Sequence, residues 1–314
     1  MKAVLQYRAT PGFRRQISAL ENDWLRIAVV DESDKDTFAR ELQDTDVLLH
    51  VLEPVTSQVI ERAARLRLIQ KLGVGVDTID LDAARARGIA VCNMPGTNTR
   101  AVAELALLLI LASLRRLAEI DAQTRAGRGW ILDSAALDNL GELGGRTVGL
   151  IGLGAVGRCL TPMLLGVGAH VMYTDVAETL GAPAVFVPLQ ELLRTSDVVS
   201  LHAPLTAETT GMINDVALAS MKPGAVLVNT ARGGLVDYEA LYRALRSGRL
   251  RAAGLDVFHA EPVDVSHPLL QLPNVIVTPH LAWFTSETLS RSLGVFAENC
   301  RRLRDRAPLL HRIV

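Results

Sequence analysis

The sequence predicts an α/β protein built from two doubly wound units with parallel sheets. Strand-like and helix-like segments alternate along the whole chain, and a second series of strands begins at Thr147. No low-complexity linker or short tandem repeat interrupts either series. In the first third, strands are expected near Ala3–Gln6, Ile27–Val30, Val47–Val51, Leu68–Leu72 and Ile89–Cys92. Amphipathic stretches such as SQVIERAARL (Ser57–Leu66) separate them. The second series reads TVGLIG, AHVMYTD, AVFVP, DVVSLHAP, GAVLVNTA, AAGLDVF and NVIVTPH. Between the two lies Arg100–Gly127, rich in Leu and Ala, expected as one long helix or two consecutive ones. A helix that apolar needs cover on more than one side, and a homodimer would supply it.

Composition narrows the classes of function. The chain has 314 residues, 49% apolar and 21% charged, with a formal net charge of −1. A nucleic-acid or anionic-membrane partner would favour a basic face, so neither is expected. Cys92, Cys159 and Cys300 lack CxxC spacing, which argues against a disulfide framework or a metal site and for a reducing, cytoplasmic setting. The N-terminus, MKAVLQYRATPGFRR, has no long apolar core of the signal-peptide kind. The apolar run Leu105–Leu114 is too short for a membrane span.

The segment GLIGLGAVGR contains Gly152, Gly154 and Gly157 in G-x-G-x-x-G spacing. A strand precedes it, a helix-compatible run follows, and a second strand ends in Asp175, eighteen residues past Gly157. This is the layout of a dinucleotide site. The glycines let the backbone and the helix N-terminus, including Ala155 and Val156, approach a pyrophosphate, and the acid accepts from a ribose diol. A carboxylate at Asp175 would repel a 2′-phosphate, and Val176, Ala177 and Glu178 offer no Arg to hold one. NAD is therefore expected over NADP. Arg158 would either touch a phosphate or face solvent.

Open α/β sheets bind ligands at the carboxyl ends of their strands. There the later strands present His202 and Pro204, Thr230, Ala231 and Arg232, Asp256 and Glu261, and His280. Arg232, four residues past Val228 at the end of a buried run, would grip a carboxylate with two hydrogen bonds. A His shuttles protons near neutral pH, and a carboxylate beside it orients the ring. Gly73 and Gly75 in GVGVD form either a plain turn or an anion nest of backbone N–H groups.

Seven ordered motifs carry a resemblance: LGVGVDTID, GTNTRAVAE, GLIGLGAVGR, PLTAETTGMIN, VNTARGGLVD, GLDVFHAEP and TPHLAW. Together they are similar to the D-isomer-specific 2-hydroxyacid dehydrogenase family, which includes glycerate, hydroxypyruvate, phosphoglycerate and D-lactate dehydrogenases. The resemblance implies a flavodoxin-like substrate domain, residues 1–97 and 285–314, into which a Rossmann NAD-binding domain, residues 98–284, is inserted. It implies that Arg232 binds the substrate carboxylate, that His280 is the acid/base with Glu261 its partner, and that backbone at Val74 and Gly75 meets the carboxylate. Domain closure over NADH and a small 2-oxo acid would exclude water. Formate dehydrogenases of this fold pair the His with Gln, so Glu261 favours 2-hydroxyacid chemistry. The appended regulatory domain of some phosphoglycerate dehydrogenases is not expected after the return helix, Ser286–Arg304.

Other residues keep two readings. Asp256 hydrogen-bonds the nicotinamide amide or is structural, the first being expected. His202, at a strand end beside the cofactor, is expected to contact it or pack rather than transfer protons. Trp283 in LAWFTSET would narrow the substrate pocket or stack near the nicotinamide. Asn98 and Thr99 would cap the long helix, and Glu104 would satisfy its N-terminus or hold a loop. His259, His267 and His50 are expected to be surface or structural residues. PHLAWF also resembles the C-terminal-binding corepressors, which makes an NAD(H)-sensing interaction protein the alternative. An acid with another small oxyanion is a third possibility for Arg232.

Overall fold

The structure is a computed structural model and describes residues 1–131 and 140–314. The chain divides into two compact units, Met1–Asn98 with Phe284–Val314, and Thr99–Trp283.

The first unit holds five parallel strands: β1 (Lys2–Gln6), β2 (Arg26–Val30), β3 (Val47–His50), β4 (Leu68–Lys71) and β5 (Ala90–Cys92). Their order, β2-β1-β3-β4-β5, is the doubly wound flavodoxin-like arrangement. β3, β4 and β5 are buried at every residue, as strands covered on both faces must be. Side-chain caps start the helices between them: Thr10 accepts from the Phe13 N–H at 3.2 Å and Asp80 from that of Ala83 at 2.9 Å. The SQVIERAARL stretch is helical only over Ser57–Arg62. Ala63 leaves the helical region, yet Ala63 and Leu66 remain in the core, so the apolar positions are satisfied by a turn instead. The helix Ser286–Asp305 belongs to this unit. Its buried Asn299 donates to the Gln70 side-chain Oε1 at 2.7 Å and accepts from the Leu310 N–H at 2.7 Å.

The second unit holds seven parallel strands: β6 (Thr147–Ile151), β7 (His170–Thr174), β8 (Val185–Phe186), β9 (Val198–Leu201), β10 (Ala225–Asn229), β11 (Leu250–Leu255) and β12 (Val275–Val277). The order is β12-β11-β10-β9-β6-β7-β8, so the winding reverses between β6 and β9. The apolar run 100–127 forms two helices, Thr99–Leu114 and Leu117–Arg125, parted where Arg116 turns to a left-handed φ of 49°. The first buries Ala103, Ala106, Leu109 and Ile110 against Val148, Leu150 and Val226 of the sheet. Its other side leaves Leu108 and Leu111 exposed at 53% and 37%. Among the described residues no helix is long and apolar enough to cross a membrane.

Candidate active site

The glycine loop follows β6, at the reversal of strand order, and each glycine answers a different constraint. Gly152 has φ 99°, and a Cβ there would lie 2.8 Å from the His202 carbonyl carbon, so the turn passes directly over the end of β9. A Cβ on Gly157 would sit 2.5 Å from the Gly152 oxygen, which fixes how closely the helix Ala155–Gly166 approaches its strand. Nothing lies within 4 Å of a Cβ on Gly154, the N-cap residue, so the backbone there is open to a large ligand. The first-turn N–H groups of Ala155, Val156 and Gly157 have no acceptor within the helix and favour an anion. Asp175, just past β7, accepts from the Leu153 N–H at 2.8 Å and the Val176 N–H at 2.7 Å. Its carboxylate is thereby held at the crest of the loop with lone pairs to spare for a diol. These residues fit a pyrophosphate-linked dinucleotide. Arg158 is exposed on this helix, as the solvent-facing reading expected, and donates to the Leu153 carbonyl at 2.8 Å.

Thr230, the residue after β10, has a buried Oγ1 with no hydrogen-bond partner among the described residues. Pro204 is exposed, its carbonyl accepting from Thr209 at 2.7 Å. The His202 ring bonds Ser200 Oγ at 3.0 Å. Burial pushes its pKa down to about 4, so it is neutral at physiological pH and unsuited to donate protons there.

β10, β11 and β12 are successive neighbours, and their carboxyl ends gather the remaining groups. Asn229, wholly buried, was not singled out by its sequence, yet it shapes the loop that carries the Arg. Its side chain accepts from the Ala231 N–H at 3.0 Å and donates to the Arg232 carbonyl at 2.8 Å. The signal available was an amide ending an otherwise apolar buried strand, which demands local partners. Arg232 stands in extended conformation, φ −144° and ψ 139°, partly buried, with Nη1 donating to the Ala231 carbonyl at 2.8 Å. Gly233 does more than leave room: a Cβ there would fall 2.1 Å from the Phe258 carbonyl carbon. Only glycine lets the β10 loop pass the loop after β11.

His280 Nδ1 lies 2.6 Å from Glu261 Oε2, and Glu261 Oε1 accepts from the Phe258 N–H at 2.9 Å. Burial pushes the Glu261 carboxyl up, but the His280 hydrogen bond and charge, the Phe258 N–H and the Arg232 charge together hold it below its ordinary value. An ionised Glu261 accepts the Nδ1 proton, which leaves Nε2 as the nitrogen able to exchange a proton with a ligand. Asp256 is fully buried and accepts from Thr278, Leu281 and Ala282. Thr278 opens the TPHLAW motif, but sequence reasoning gave it no role of its own, since its partner Asp256 is distant in sequence.

His259 is exposed and contacts the Val236 carbonyl at 2.7 Å, and His267 accepts from the Leu269 N–H at 3.2 Å. Glu104 pairs with Arg100 at 2.7 Å on an exposed helix face. Trp283 is buried. Val74 and Gly75 lie in the first unit, after β4, where Val74 is 45% exposed and its carbonyl accepts from Asn93 at 2.9 Å. Lys71, the basic residue beside them, is buried and donates to the Val51 carbonyl.

The family model "D-isomer specific 2-hydroxyacid dehydrogenase, NAD binding domain" matches residues 107–282. The glyoxylate reductase of Korarchaeum cryptofilum is 41% identical over 273 residues, 84% of this chain and 81% of that protein. This chain belongs to that family. The D-3-phosphoglycerate dehydrogenase of Mycobacterium leprae is 40% identical over 89% of the dehydrogenase described here, which spans 53% of that longer relative. The D-lactate dehydrogenase of Aquifex aeolicus, solved with NAD and lactic acid, has 31% identity and a TM-score of 0.84 over 98% of this chain and 96% of that one. The dehydrogenase is NAD-dependent, and the glycine loop and Asp175 are the residues suited to hold that cofactor. The corepressor reading is not favoured, since the relatives named here are reductases and dehydrogenases.

Proposed function

We propose that the protein interconverts a small 2-oxo acid and its D-2-hydroxy acid, with Arg232, Glu261 and His280 as the working residues. The observation that carries this reading is the 2.6 Å pairing of His280 with an ionised Glu261 beside the Arg232 charge. Arg232 binds the substrate carboxylate and draws electron density toward the carbonyl oxygen. His280 gives its Nε2 proton to that oxygen during reduction and takes it back during oxidation. Glu261 orients the ring through its hydrogen bond to Nδ1. The chemistry the dinucleotide supplies when bound is hydride transfer at C2. Gly152, Gly154, Ala155, Val156, Gly157 and Asp175 hold the pyrophosphate and ribose, with His202, Pro204, Thr230 and Ala231 lining the approach. The first unit is the substrate-binding domain, with Val74 and Gly75 presenting backbone N–H groups to an anion.

The substrate panel follows from the relatives: glyoxylate, pyruvate, hydroxypyruvate and 3-phosphohydroxypyruvate, each followed by loss of NADH absorbance. Turnover of at least one with kcat/KM above about 10³ M⁻¹s⁻¹ supports the reading. No turnover of any 2-oxo acid, branched ones included, overturns it. Leu108, Leu111, Leu117 and Ile120 line a cavity of about 320 Å³ on the apolar helix face, which supports a homodimer through that face. Light scattering on a size-exclusion column showing a monomer at micromolar concentration removes the dimer. A cytoplasmic location fits the free Cys92, Cys159 and Cys300.

A further inference from the structure

We propose that the second unit carries another anion site, at the end of its sheet opposite the glycine loop, where Arg115 and Arg146, backed by Arg251, receive a phosphate-class oxyanion. The site shares no residue with the proposed chemistry. Arg146 immediately precedes β6 and Arg251 is the second residue of β11, so both stand at the amino ends of their strands. The glycine loop and Arg232 lie beyond the carboxyl ends. Arg115 follows the last residue of the helix Thr99–Leu114. A cavity of about 580 Å³ opens between Arg115 and residues of the segment Leu140–Arg146, room enough for a phosphate ester as well as the bare ion. Arg251 reaches its wall from β11: a Cβ on Gly141 would lie 2.8 Å from Arg146 Nη2 and 2.8 Å from Arg251 Nη1. Two guanidinium groups therefore crowd one point.

Charge is what this arrangement leaves unbalanced. Arg251 Nη1 is buried with no hydrogen-bond acceptor, and neither Arg251 nor Arg115 has an ion pair among the described residues. Burial, the Arg146 charge and the Arg116 charge push the Arg251 guanidinium down, while Asp197 pulls the other way. The acids nearby are committed elsewhere. Asp197 accepts from the Thr147 N–H at 2.8 Å and pairs with Lys222 at 3.1 Å, and Glu119 holds Arg116 at 2.6 Å. Glu142 lines the cavity, but the residue is exposed and it is its carbonyl that accepts from Arg146 Nε, at 2.5 Å. A guanidinium does not give up its proton, so neutralisation has to come from outside. An oxyanion with several equivalent oxygens fits the planar forks of neighbouring arginines better than a single-point acceptor does.

The test titrates inorganic phosphate, and glucose 6-phosphate as a phosphate ester, into the full-length protein by calorimetry at constant ionic strength. The protein is Arg232→Gln saturated with NADH, so that neither the glycine loop nor the substrate arginine takes up the anion. At least one probe is expected to bind once per chain with a Kd of about 1 mM or tighter. Adding Arg115→Gln, Arg146→Gln or Arg251→Gln should weaken it about tenfold or more. Equal binding of both probes makes the free ion sufficient, and binding of glucose 6-phosphate alone assigns the site to an ester. Thermal unfolding separates binding from a structural role. About 20 mM of the bound probe should raise Tm by about 3 °C or more, and by less than about 1 °C once Arg251→Gln is added. In chloride alone that variant should melt no earlier than its background, because a repelled charge has been removed. If it melts earlier or does not fold, Arg251 is structural, and the exposed Arg115→Gln with Arg146→Gln decides by calorimetry. No saturable uptake of either probe, or uptake unchanged in these variants, overturns the site.

Discussion

Arg232 and His280 divide the proposed chemistry between an unconditional charge and a movable proton. A guanidinium stays charged and offers a fork that fits a carboxylate, so Arg232→Ala is expected to lower kcat/KM by about 10³-fold or more. Arg232→Lys should recover only part, because an ammonium makes a single-point contact. Steady-state kinetics with the best substrate check this, and a variant within threefold of the parent would remove the assignment. His280→Gln should lower kcat by about 10²–10⁴-fold while NADH still binds, the range for a lost general acid. His202→Asn offers the contrast: with a pKa near 4 that ring is neutral already, and the variant should retain the pH profile of kcat. A profile that moves with His202 would reassign the acid.

At the scale of the element, the loops that carry these residues rest on contacts no motif announces. Gly233→Ala is expected to destabilise the second unit by about 2–4 kcal/mol, because its Cβ would overlap the Phe258 carbonyl carbon, 2.1 Å away, and neither strand end can retreat without moving the site. Thermal unfolding measures the loss, and an unchanged melting temperature would show that the two loops are not so close. Asp175 acts at the crest of the glycine loop. Asp175→Ser should raise kcat/KM with NADPH relative to NADH by about tenfold or more, since the repulsion of a 2′-phosphate is removed. A parent enzyme that already prefers NADPH would contradict the role given to that carboxylate. The turn after β12 shows why motif and mechanism are different kinds of knowledge: TPH marks a strand end, but Thr278 matters only because Asp256 lies beneath it.

For the whole molecule, buried groups set the response to acid. His50 is 3% exposed and donates through Nε2 to the Glu53 carbonyl at 2.7 Å. Burial and the Lys71 charge lower its pKa from 6.5 to about 3. A neutral folded ring that charges on unfolding contributes stability in full above about pH 6.5 and loses it as pH falls toward 3. The depressed Glu261 carboxyl has the same sign, its contribution being lost further into acid. The urea midpoint should therefore fall from pH 7 to pH 5, and His50→Gln should flatten that dependence. Equal slopes in parent and variant would exclude His50 as the cause.

Periodicity and spacing settle what depends on neighbours along the chain. Alternating buried strands and amphipathic helices specify parallel sheets, because each apolar face must be covered, and the glycine spacing with Asp175 specifies a dinucleotide site. The order of motifs names the family. Tertiary structure decides what depends on residues distant in sequence: that β10, β11 and β12 lie side by side, that Gly233 passes under Phe258, and that Asn229 and Asp256 spend buried polar groups on the loops bearing Arg232 and His280. A hydrogen bond is directional and a few ångströms long, so its partners are fixed only once the chain has folded, whereas the hydrophobic pattern that drives folding is written residue by residue.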